Sequence, residues 1–165
     1  MLVSGRKFDI GTYVVVTSGE PFRYGLEIID DIIIPKNSTL STLIRIYLLN
    51  EWLLRFCNTD YEPFDPSNAK SYVVGDDYTP IWEVPEISTH YSKGIGMKNA
   101  FFYWLKDNGI SPTTLESKMA LAVGEIWESQ QPKIAKILER YNNYPGQFFE
   151  LLRMDWVVGR ITQLF

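Results

Sequence analysis

Cys57 and His90 are the only cysteine and the only histidine in this chain, and those two counts bound its chemistry. A thiol nucleophile with an imidazole base would have to be this pair. The context "LLRFCNTD" carries no signature of a catalytic cysteine, and a cysteine closing an apolar run is most often a small core residue. A Ser–His–Asp arrangement would also need His90, and no G-x-S-x-G motif occurs. Structural zinc sites take four Cys or His ligands, twice what exists here. Carboxylates are the remaining resource. Asp60, Glu62 and Asp65 lie close together, as do Asp76 and Asp77. Oxygen donors of this kind suit calcium or magnesium, and paired carboxylates can hydrolyse glycosidic bonds. "DYEPFDPSN", however, has prolines and no glycine where a calcium loop must turn. Solvated loop acids in Asx-turns are the expectation, with no metal and no cofactor.

Two further segments could hold an anion or a nucleic acid. "YSKGIGMKN" places Gly94 and Gly96 ahead of a helix, where backbone N–H groups can receive a phosphate. The third glycine of the dinucleotide fingerprint is missing and no βαβ unit surrounds it. Residues 97–123 resemble a helix-turn-helix: a helix, Gly109-Ile110-Ser111, then a second helix opening at Pro112. That resemblance would make Thr113, Thr114, Ser117 and Lys118 the side chains that reach base edges. Asn108 and Lys118 depart from the motif's apolar positions, and Glu116 would face phosphates. The same residues also make an ordinary connection between two helices, with Gly after the first and Ser-Pro before the second.

Composition sets the frame for these candidates. At 165 residues the chain has a normal length for one domain, and 1–165 is read as a single unit. Its net charge of −4, with lysines and arginines scattered, speaks against a generic polyanion binder. The aromatic content of 15% favours a large core or large contact surfaces. "MLVSGRKFDIG" has no apolar signal region, and Leu40–Cys57 carries too many charges to span a bilayer. A cytoplasmic location, or one within a multi-subunit particle, is therefore expected.

The elements that must position these residues read as α+β, β-rich over 6–35 and 71–84 and helical over 38–57 and 96–165. Phe8–Thr17 and Phe22–Ile29 are expected to form a hairpin, although 22–34 also fits a helical stripe, with Asp30 and Asp31 at an exposed turn. Thr39–Phe56 reads as a helix apolar nearly all round, capped by Ser38 and braced by Glu51 and Arg55. "SYVVGDDYTPIWEV" reads as two short strands, Pro80 on an edge, and "PEISTHYSKGIG" as irregular. Four to five helices are expected in all, with a break at Pro132. The last helix, from about Gln147, carries the seam Leu151, Met154, Val158, Ile161 and Phe165 onto the core.

These observations lean against an enzyme. They point to a structural or adaptor protein that uses helix surfaces in a homo- or hetero-oligomeric assembly, with Phe149, Trp156, Trp52, Phe102 and Tyr103 as partner contacts. A helix-turn-helix DNA-binding regulator is the alternative. A small carboxylate-dependent enzyme using the central acidic loops is the second alternative.

Overall fold

The β-branched and aromatic run "FDIGTYVVVTS" forms the first strand, β1 (Phe8–Ser18), as its composition demands. The computed structural model describes residues 1–18, 28–32, 44–63, 65–91, 94–140 and 149–159. Its further strands are β2 (Ile28–Ile32), β3 (Ile44–Phe56), the two-residue β4 (Thr79–Pro80) and β5 (Phe149–Trp156). The helices are α1 (Pro85–Tyr91), α2 (Met97–Asp107) and α3 (Pro112–Arg140). The α+β class holds, with three α-helices among the described residues rather than four or five. The sheet runs β2-β3-β1-β5, and β4 pairs with β3 at Arg55 and Phe56.

The expected helix over 39–56 is instead the long strand β3, where it is described. Ile46, Tyr47 and Leu48 are all buried, and from Glu51 to Phe56 exposure alternates, with Trp52, Leu54 and Phe56 buried and Glu51, Leu53 and Arg55 less so. That second half has a period of two. An apolar run without polar punctuation fits a buried strand and a buried helix equally, and pairing with β1 and β2 decides for the strand.

The expected hairpin partner of β1 is also corrected. β2 pairs antiparallel with β3, Asp31 opposite Tyr47 and Ile32 opposite Ile46, so Asp30 and Asp31 lie in a strand rather than a turn. Residues 22–27 and 33–34 lie outside the described residues. The final "helix" is β5, whose exposure alternates from Leu151 to Trp156. Leu151 and Met154 satisfy a helical spacing, but Leu152, Met154 and Trp156 satisfy a strand. Trp156 Nε1 donates to Thr12 Oγ1 at 2.7 Å, across 144 positions of sequence. Ile161 and Phe165, the end of the expected seam, lie outside the described residues.

The helical forecasts fare better in the middle of the chain. α2 buries Phe101, Trp104 and Leu105 and leaves Tyr103 outside. It stops as its sequence requires. Gly109 adopts φ 71°, Ile110 N–H donates to Leu105 O at 2.8 Å, and Gly109 N–H to Lys106 O at 3.0 Å. This is a Schellman closure. α3 opens on Pro112 as expected, but runs through Pro132 without a break. The exposed proline leaves the Glu128 carbonyl without its helical donor. "PEISTHY", expected to be irregular, forms α1 with Pro85 at its first position and Ile87 buried. Of the two strands expected over 71–84, only Thr79–Pro80 forms, on an edge.

The chain divides into two compact units. The first comprises Met1–Thr12, Glu51–Pro112 and Arg153–Phe165, and the second Tyr13–Asn50 and Thr113–Leu152. In the first, Phe8 packs on Phe56 and Phe101 with ring centroids 5.5 and 5.4 Å apart, and Phe101 stacks on Trp104 at 5.7 Å. In the second, Val14, Val16, Ile46, Leu48, Leu115, Met119 and Val123 are buried. Among the described residues, no helix is long and apolar enough to cross a membrane.

Candidate functional site

Side chains alternate across a strand, so β1 and β3 in the first unit have two chemically different faces. Phe8, Ile10, Leu54 and Phe56 belong to the aromatic core beside α2. Asp9, Gly11 and Arg55 occupy the opposite parity. Arg55 grips Asp9 with both arms of its guanidinium, Nε to Oδ1 at 2.9 Å and a terminal nitrogen to Oδ2 at 2.6 Å. Their side chains are only 16% and 13% exposed. β5 extends the row on the other side of β1. Arg55 also lies 3.6 Å from Asp155 Oδ1, and the same oxygen takes Arg153 Nε–H at 2.9 Å. Three strands thus carry a line of alternating charge: Arg55 with Asp9, then Asp155 with Arg153.

Burial of Arg55 works against its charge. Its hydrogen bond to Asp9, with the charges of Asp9 and Asp155, outweighs that and holds the guanidinium above its ordinary range. Paired, geometrically satisfied charges can remain on a sheet face where a lone charge could not. Neighbouring cations are fixed as well. Arg6 donates to Thr79 Oγ1 at 2.7 Å, and Lys7 Nζ to the Tyr72 carbonyl at 2.6 Å.

The residues singled out from sequence are not gathered at one place. Cys57 is buried, and burial pushes its thiol up, away from the nucleophilic thiolate. His90 pairs with Asp107 at 3.2 Å and stacks on Tyr103 at 5.7 Å rather than meeting Cys57. Asp60, Glu62, Asp76 and Asp77 are exposed. Asp65 takes the Ser67 hydroxyl and N–H, which hold its carboxyl below the usual range. Asp77 is held low by Lys70, 2.9 Å away. Among the described residues, no group of three His, Cys, Asp or Glu could hold a metal ion. At Gly96, which caps α2, the nearby anion is internal: an added Cβ would lie 3.0 Å from the Glu51 carboxylate.

Of the five expected partner contacts, Trp52 is 2% exposed and packs edge-on to Phe102 at 5.2 Å. Phe102 and Trp156 are half-buried, and only Tyr103 and Phe149 are exposed. Thr113, Ser117 and Lys118 are exposed and Thr114 half-buried on α3. The Gly109 closure accounts for the turn without any call on DNA.

The charged line itself went unseen in the sequence. Its signal was Asp9 inside the β-branched run of β1. Arg153-x-Asp155 has strand spacing, but reading 147–165 as a helix placed these two side chains apart.

Residues 39–163 match the tubulin-tyrosine ligase family. The chain belongs to that family. It is 34% identical, over its full length, to a probable tubulin polyglutamylase of Caenorhabditis elegans, and spans 28% of that protein. It is 26% and 24% identical to the tubulin monoglutamylases of mouse (Mus musculus) and human (Homo sapiens), over 93% of its own length and 12% and 11% of theirs. No solved structure matches the chain. Membership of a ligase family overturns the expectations of a non-enzymatic structural or adaptor protein and of a helix-turn-helix DNA-binding regulator.

Proposed function

We propose that this chain is part of an enzyme that joins glutamate to tubulin. The observation that carries the reading is the family match over residues 39–163. The relatives named polyglutamylase and monoglutamylase supply the substrate class. The reaction forms an amide between the amine of the incoming glutamate and a carboxyl group of the protein substrate. The partner is then a protein rather than DNA or a membrane, and the site of action is the cytoplasm, where tubulin is found.

The line Asp9–Arg55–Asp155–Arg153 is this chain's contribution to the reaction site. Asp9 and Arg55 are its buried anchor. Asp155 and Arg153, 51% and 33% exposed, are its accessible end and present one carboxylate and one guanidinium to a substrate. Such groups recognise charged partners through short, directional hydrogen bonds.

The test is incorporation of radiolabelled glutamate into purified tubulin, with a nucleoside triphosphate as the energy source a ligase needs. Wild-type protein should label tubulin. Asp155→Asn and Arg153→Ala should each lower incorporation about tenfold or more, as expected when a group touching the reacting centre is lost. Absence of labelling by the wild-type protein overturns the proposal.

A further inference from the structure

Gly11 stands on β1 two residues beyond Asp9, on the same face of the sheet, and it is buried although it has no side chain to bury. What approaches it is β5. A Cβ at position 11 would lie 3.1 Å from Arg153 Nε, 3.3 Å from a terminal nitrogen of Arg153 and 3.3 Å from Asp155 Oδ1. All three contacts are tighter than a side-chain carbon ordinarily tolerates. The backbone of Gly11 is not in the left-handed region that would demand glycine. The missing side chain, and not backbone freedom, is what the position supplies: room for the Arg153 guanidinium to come close to β1.

We propose that Gly11 is a positioning residue for the charged line. The absence of a Cβ leaves room beside β1 for Arg153 while it is bonded to Asp155, its neighbour two residues along β5, and thereby sets the orientation of the accessible end of the site. The consequence for catalysis rests on the glutamylation reading, but the geometric claim does not. The atoms that crowd position 11 are the far ends of flexible side chains, so Gly11→Ala should fold. An alanine in a strand of ordinary φ loses less conformational entropy on folding than glycine. Arg153 should give way by a few tenths of an ångström and its bond to Asp155 should loosen.

The experiment is a double-mutant cycle on the intact protein with two independent readouts, using Gly11→Ala, Arg153→Ala and the double variant. The first readout is the Arg153 Nε–H resonance in a nitrogen–proton correlation spectrum, which needs no activity. It should be resolved in the wild type and be shifted or lost in Gly11→Ala, with the melting temperature unchanged within about 2 °C. The second is kcat/KM for glutamate transfer. Gly11→Ala should lower it about tenfold in the wild-type background and not at all in Arg153→Ala, the signature of two residues acting through one contact. Arg153→Lys keeps the charge but lacks the planar fork that lies over Gly11. It should reproduce the loss with Gly11 intact. An unchanged Nε–H resonance, equal losses in both backgrounds, or a fully active Arg153→Lys each overturns the inference. A wild-type protein that does not label tubulin removes the glutamylation reading alone, and the resonance still decides the role of Gly11.

Discussion

Asp9–Arg55 and Arg153–Asp155 are the same chemical pair on the same sheet face, yet they live in different solvents. The first joins two inner strands by a two-armed hydrogen bond, with both side chains under one-fifth exposed. The second joins residues two apart on β5, and its carboxylate is half in water. Surface pairs contribute little to stability, because water screens them and ordering two long side chains offsets the gain. A pair removed from water is different in kind. Its net contribution is small, but breaking it leaves a charge that water reaches only in part. One charged line thus has an enclosed end and an accessible end, which differ in exposure and in whether the pair joins two strands or lies within one.

Breaking the buried pair is the largest expected effect. Arg55→Ala should cost about 2–3 kcal/mol in denaturant unfolding, because Asp9 is left as an unpaired and mostly enclosed carboxylate. Replacing both partners by leucine should recover most of that loss. If Arg55→Ala and Arg153→Ala cost the same, the distinction between the two ends fails. Next comes the tie that holds β5 in place. Trp156→Phe removes the hydrogen bond to the buried Thr12 hydroxyl and should cost about 1 kcal/mol, read as a shift in unfolding midpoint with an unchanged slope. Arg153→Ala should cost at most about 1 kcal/mol of stability while abolishing most glutamate transfer, a divergence that a melting curve and a labelling assay measured together will show.

The smallest effect is a pH dependence. Burial raises the Cys57 thiol in the folded protein. The unfolded chain therefore releases this proton at lower pH than the folded one. Stability from this group is full below the ordinary thiol range, about 8.5, and is lost as pH rises from there through the folded value. Cys57→Ala should flatten the alkaline side of the stability profile. The same profile in wild type and variant would show that the buried thiol is not the cause.

Local rules were legible where the chemistry is local. The end of α2 follows from Gly109 and Ile110, the start of α3 from Pro112, and β1 from its β-branched run. The turn at Asp65, which accepts bonds from Ser67 two residues away, follows from local loop chemistry. The failures share a cause. Ile44–Phe56 and Phe149–Trp156 are apolar stretches whose spacing serves a helix or a strand, and neither contains a residue that breaks the tie. The candidate site was lost with them, because Arg55, Arg153 and Asp155 stand on those two segments.

The amino-acid sequence by itself determined the α+β class, the boundaries of α2, the burial of Cys57 and the poverty of soft metal ligands. Those depend on composition and on residues a few positions apart. Which period each long apolar run adopts, and which charges meet, was decided only by tertiary structure. A strand's hydrogen-bond partners and cross-strand neighbours come from distant parts of the chain, as Trp156 does for Thr12. Asp9 therefore becomes the partner of Arg55, and Gly11 the floor beneath Arg153, only once β1 lies between β3 and β5.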